Sequence, residues 1–141
     1  MSTVTTPHSS RRSVAATADT DALGDARLNL VVLCGQVSTP PTLRILPSSS
    51  RLVTLALRVP AGDGTQTSVP IAVWEPARWV EDVEPDDVLV VLGTVRRRFF
   101  RAAGTTGSRV EVQAVAIGRA GERRRRGAIA RRARTALELL D

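Results

Sequence analysis

The sequence predicts an all-β domain with small α content: a five-stranded Greek-key barrel, a short helix before the fourth strand, and a C-terminal helix. Three observations carry this. Five stretches between residues 28 and 118 are apolar over strand lengths, and clusters of Pro, Gly, Ser and Thr separate most of them. Only EPARWVEDVEPDD and AIARRARTALELLD read as helical. The last two strand stretches, VLVVLGTVRRRFFR and SRVEVQAVAI, are joined by the glycine-containing AAGTTG, which makes them a hairpin.

LNLVVLCGQV opens the domain, with Leu28, Leu30, Val32 and Cys34 on one face and Asn29, Val31, Leu33 and Gly35 on the other. Both faces are largely apolar, which predicts a central strand, and Gly35 predicts a bulge or bend. Cys34 reads as a small buried apolar residue. STPPT is a turn, LRIL a short extended piece and PSSS a second turn. RLVTLALRV is the second strand, with Val53, Leu55, Leu57 and Val59 opposite Leu52, Thr54, Ala56 and Arg58. PAGDGTQT is a loop and SVPIAVW the third strand, in which Pro70 calls for an edge or bulged position. Pro76 and Pro85 bound the short helix, whose apolar side is Trp79, Val80 and Val83. The order β-β-β-α-β-β fits a barrel of the OB type.

The chain divides into three by composition. Residues 1–27 are rich in Ser, Thr, Ala and Asp without periodicity, and are expected to be disordered. Residues 28–118 form the barrel. Residues 119–141 are an arginine-rich linker followed by an amphipathic helix, with Ala130, Ala133, Leu137 and Leu140 in one stripe. A helix of about 14 residues is marginal alone and needs a partner surface. All 20 basic residues are arginine, so the charge of +6 does not titrate in the ordinary range. The tail holds eight arginines against three acids, while the barrel holds nine against eight. A polyanion site in the barrel must therefore come from local clustering. The run Arg123–Arg126 suits a nucleic-acid or acidic protein partner, with little specificity.

Several classes are excluded. One cysteine permits no intrachain disulfide, which fits a reducing, cytoplasmic setting. No run reaches the length of a membrane span, and there is no signal-like apolar segment. His8 is alone, so no base serves a Ser or Cys nucleophile; no Cys/His metal set and no phosphate-cradling glycine loop exist. Neither catalytic residues nor a cofactor or metal are expected.

The informative stretch is Arg96-Arg97-Arg98-Phe99-Phe100-Arg101. Arg96, Arg98 and Phe100 share one face, and Arg97, Phe99 and Arg101 the other. Both sides thus combine cation and ring, which suits phosphates and bases. Trp74 is either a core ring or a stacking platform. Trp79 is expected to pack helix on barrel. Arg44 and Arg58 either line the same groove or are solvated.

In this order the segments resemble the bacterial single-stranded DNA-binding (SSB) proteins. NLVVLCGQV is similar to that family's first strand, PPTLRILPSSSRLVTLALRV to its Pro-x-x-Arg turn and second strand, and SVPIAVWEPARWVEDV to its third strand and helix. LVVLGTVRRRFF and GSRVEVQAVAI resemble the closing strands, with Gly93 at the family's glycine. The resemblance implies an OB fold that binds single strands by stacking and phosphate contacts in DNA replication, repair or recombination, as a homo-oligomer (dimer or tetramer). It implies stacking roles for Trp74 and Phe100 and phosphate roles for Arg96 and Arg98. Two features depart from the family: the loop PAGDGTQT and Ser68 supply no rings, and an arginine-rich segment replaces the acidic C-terminal tip. The alternative is an OB-fold protein-interaction module with a basic tail.

Overall fold

A computed structural model describes residues 27–140. The expected disorder of the N-terminal segment, and His8 within it, lie outside the described residues. Five strands follow in order: β1 (Val31–Ile45), β2 (Arg51–Pro60), β3 (Gln66–Trp74), β4 (Val88–Ala102) and β5 (Thr105–Arg119). They close a barrel in the order β1-β2-β3-β5-β4. A 3-10 helix, Arg78–Asp82, precedes β4, and helix α1 (Arg123–Glu138) follows β5. Among the described residues no helix is long and apolar enough to cross a membrane.

Closure depends on β1 changing partners. Val31 to Gln36 pair with β4, and from Gln36 onward the strand pairs with β2. The expected STPPT turn is therefore not a turn. Its residues carry the register shifts between Val37 and Thr42 that let one long strand bend from sheet to sheet. Gly35 itself pairs in register with Leu89, so the bend lies beyond it. The ring closes through two parallel bridges, Ile71 to Val112 and Ala72 to Gln113. Pro70 sits just before these bridges, where a missing N–H costs no ladder bond to β5.

Odd-numbered positions of β2 and β3 fill the interior. Leu57, Ile71, Leu89 and Val91 are almost fully buried, joined by Val37 and Val53. Val80 of the 3-10 helix is also buried in this cluster, and the Trp79 ring packs against it. Burying each such aliphatic side chain is worth about 1.5–3 kcal/mol.

β4 is apolar on both faces between Val88 and Leu92, so it needs cover outside as well as inside. Helix α1 supplies it: Ile129 is buried against Val90, Leu92 and Ala116. The helix starts at Arg123, so the four arginines expected in a linker form its first turn. Arg125 lays its stem on Gly118, where any Cβ would collide with it, and its Nε–H donates to the Ile117 carbonyl at 3.1 Å. Arg126 Nη1 donates to the Ala120 carbonyl at 2.7 Å.

Cys34 is exposed, not buried. It projects outward from β1 beside Val32, and α1 covers β4 and β5 rather than this part of β1.

Candidate nucleic-acid interface

β4 and β5 extend beyond the barrel as an arm. The turn at its tip is only Ala103-Gly104, both at positive φ (51° and 80°), as a two-residue hairpin turn requires. That turn fixes the register: Arg96 opposite Glu111, Arg98 opposite Arg109, Phe100 opposite Gly107. At the root of the arm, Asn29 Nδ2–H donates to the Val95 carbonyl (2.9 Å), and Val95 N–H donates to Asn29 Oδ1 (2.8 Å). Asn29 thereby extends the β1–β4 pairing one step and fixes where the arm leaves the barrel.

Three adjoining grooves lead from the face that carries Arg96, Arg98 and Phe100 toward α1, and another of about 220 Å³ lies beside them against Arg109 and Glu111. The tip groove, about 320 Å³, is lined by Arg44, Thr54, Arg98, Phe100 and Arg109, from β1, β2, β4 and β5. The middle groove, about 430 Å³, is lined by Trp74, Arg96, Arg97, Arg98, Glu111 and Gln113. Arg98 belongs to both, so they adjoin. The root groove, about 170 Å³, shares Trp74 with the middle one and reaches Trp79, Val115 and Arg125.

Phe100 is 45% exposed, and its ring lies against Gly107, where a Cβ would come within 2.7 Å of it. One side of the ring is supported by backbone and the other is available. Trp74 is 42% exposed at the end of β3. The chain turns sharply after it at Glu75, which adopts positive φ (49°). Two hydrogen bonds hold that turn: Glu75 N–H to the Arg51 carbonyl (2.8 Å) and Arg51 N–H to Glu75 Oε1 (2.7 Å).

The arginines differ in their surroundings. Arg96 Nη1 donates to Gln113 Oε1 at 2.8 Å, and Arg97 Nη1 to Ser108 Oγ at 3.0 Å. Arg98 pairs with Glu111 at 3.6 Å, and Glu111 is only 7% exposed. Arg98 and Arg109 are like charges directly opposed across the strands, an arrangement that repels. Arg44 adds a third guanidinium-bearing side chain to the same groove, and Glu111 is the acid beside Arg98. Phe99 (70% exposed) and Arg101 lie on the opposite face, with exposed Val95 and Val110 nearby.

Arg58 is not brought to these grooves. It pairs with Asp86 at 2.9 Å and donates to Gln36 Oε1 at 3.4 Å. Trp79 packs on the core with the Arg119 guanidinium over its ring at 5.0 Å. Arg119 in turn pairs with Asp87 at 3.3 Å. The Glu84 N–H, and then Arg119, hold the Asp87 carboxyl below its ordinary value. Arg109 and Glu111 were missed from the sequence. Their parity follows once the turn is known to be Ala103-Gly104.

No protein-family model matches the chain, and no curated protein does. Solved structures do. A deletion mutant of the single-stranded DNA-binding protein from Thermus aquaticus is 27% identical, with a TM-score of 0.58 over 70% of this chain. The wild-type protein of that organism is 26% identical, with a TM-score of 0.56 over 68% of this chain. The chain is an SSB-like OB-fold protein. It covers 44% and 42% of those two chains, less than half of each. The fold expectation, a five-stranded barrel with a short helical turn and a C-terminal helix, agrees with the structure.

Proposed function

We propose that the protein binds single-stranded DNA along the exposed face of the β4–β5 arm, without catalysing a reaction. The observation that carries this is the tip groove. There Arg44, Arg98 and Arg109 converge from three strands beside an exposed, backbone-supported ring. Base stacking is worth roughly 1–3 kcal/mol per base, and arginine forks suit phosphates. Arg96, Arg97 and Trp74 continue the surface, while Phe99 and Arg101 offer a second side to a strand that wraps the arm. The likeness to the Thermus aquaticus proteins supports the same reading. Cytoplasmic work in DNA replication, repair or recombination is the corresponding role. The chain is further proposed to divide into a barrel unit, residues 28–118, and flanking segments 1–27 and 119–141. Exposed Val32, Cys34 and Val88 on the outer face of β1 and β4 suit a homo-oligomeric contact.

The test is a titration of tryptophan fluorescence with oligo-dT at several salt concentrations, against a duplex of equal length. Quenching is expected with the single strand at the lower concentration, and log affinity should fall with log salt by about 0.7 per phosphate contact. No binding at low salt, or tighter binding of duplex, would contradict the proposal. It would leave the protein-interaction reading, which the outward arginines 123, 124, 131 and 134 of α1 favour.

A further inference from the structure

We infer that a bound single strand does not end at Trp74 but passes over it into the root groove, so that the site runs from the arm tip to the first turn of α1. This rests on the single-strand reading above and extends it to helix α1.

The grooves are linked by shared walls. Arg98 closes the tip groove and opens the middle one; Trp74 closes the middle groove and opens the root groove. A strand stacked on Trp74 from the arm side therefore finds a further cleft immediately beyond it. That cleft is small, about 170 Å³, with room for one flat ring rather than a run of them. Its lining is chemically apt: it includes Trp74, Trp79, Val115 at the bulge of β5, and Arg125. Glu75 also borders it, but one carboxylate oxygen is occupied by Arg51 N–H.

Arg125 is held in a defined position. Its stem lies on Gly118, and its Nε–H is used on the Ile117 carbonyl. Among the described residues its terminal nitrogens make no hydrogen bond and no acid pairs with it. An arginine whose stem is anchored and whose fork end is unpaired loses little side-chain freedom on meeting a phosphate. The anchorage also depends on α1 staying docked, through Ile129. Trp79 is fixed independently by the barrel core and by the Asp87–Arg119 pair.

The experiment uses the full chain and two lengths of oligo-dT: the shortest that binds the unaltered protein, and one several nucleotides longer. Trp74→Phe keeps a ring at the junction and leaves Trp79 as the reporter. The longer oligonucleotide is expected to quench Trp79 at saturation, and the shorter one to leave it unchanged. Arg125→Met keeps the stem on Gly118 and removes the guanidinium. It should weaken the longer oligonucleotide several-fold, lower its salt slope by about 0.7, and spare the shorter one. Unchanged Trp79 emission with both lengths, or an equal effect of Arg125→Met on both, overturns the extension while single-strand binding stands. Failure of the unaltered protein to bind either length overturns both readings together.

Discussion

The two halves of β4 belong to one strand and do opposite work. From Val88 to Leu92 its inward positions build the core, and its outward positions are mostly covered by α1. From Arg96 to Phe100 the same outward positions carry Arg, Arg and Phe, which line the grooves. The backbone is regular through both halves apart from the shift between Leu92 and Gly93. What separates the core from the candidate site is therefore side-chain chemistry along a single strand face. The consequence is that stability and binding should respond to different substitutions only a few residues apart.

The largest expected effect is on the covered half. Leu89→Ala leaves a cavity at a fully buried position and should cost about 2–5 kcal/mol of stability. Binding per folded molecule should stay unchanged, which denaturant melts beside oligonucleotide titrations would show. Phe100→Ala on the exposed half should do the reverse. It should lose roughly 1–3 kcal/mol of single-strand affinity with little change in the melt.

Glu111→Gln sharpens the comparison because its sign differs. Glu111 is the acid within the basic face and pairs with Arg98. Neutralising it should tighten oligo-dT binding and steepen the salt dependence. It should also lower stability, since Arg96, Arg98 and Arg109 are left to repel one another. Weakened binding in this variant would mean that Glu111 positions Arg98 rather than competing for it.

The smallest effect concerns Asp87, which ties the turn before β4 to Arg119. Its carboxyl is held below the ordinary value, chiefly by the Glu84 N–H. The ionised form is thus favoured by folding. Its contribution is present above the ordinary carboxylate range and fades as pH falls through the depressed value. Acid melts should show that Asp87→Asn lacks this small component and matches the unaltered protein more closely at the lowest pH.

Most of the fold was legible because its signal is local. Period-two alternation in RLVTLALRV sorts inside from outside, and the AAGTTG turn separates the last two strands. What escaped depends on distant partners. Cys34 looks like core by its neighbours, but its exposure is decided by which strands α1 covers. The first turn of α1 looks like linker in the sequence because four arginines suit a solvated segment, although arginine is a good helix former. The apolar outer face of β4 was a usable sign that something must cover it. In the candidate site, strand parity puts Arg96, Arg98 and Phe100 on one face. Arg109 and Glu111 needed the register, and the separation of Arg44 from Arg58 needed the closed barrel.

The central claim is that three arginines converging on the arm act together on phosphates. The most direct measurement compares the salt dependence of oligo-dT affinity for the unaltered protein and for Arg44, Arg98 and Arg109 replaced together by alanine. The account predicts a log-log slope shallower by about 2, three contacts at about 0.7 each, with the barrel still folded. An unchanged slope in a folded variant would contradict it.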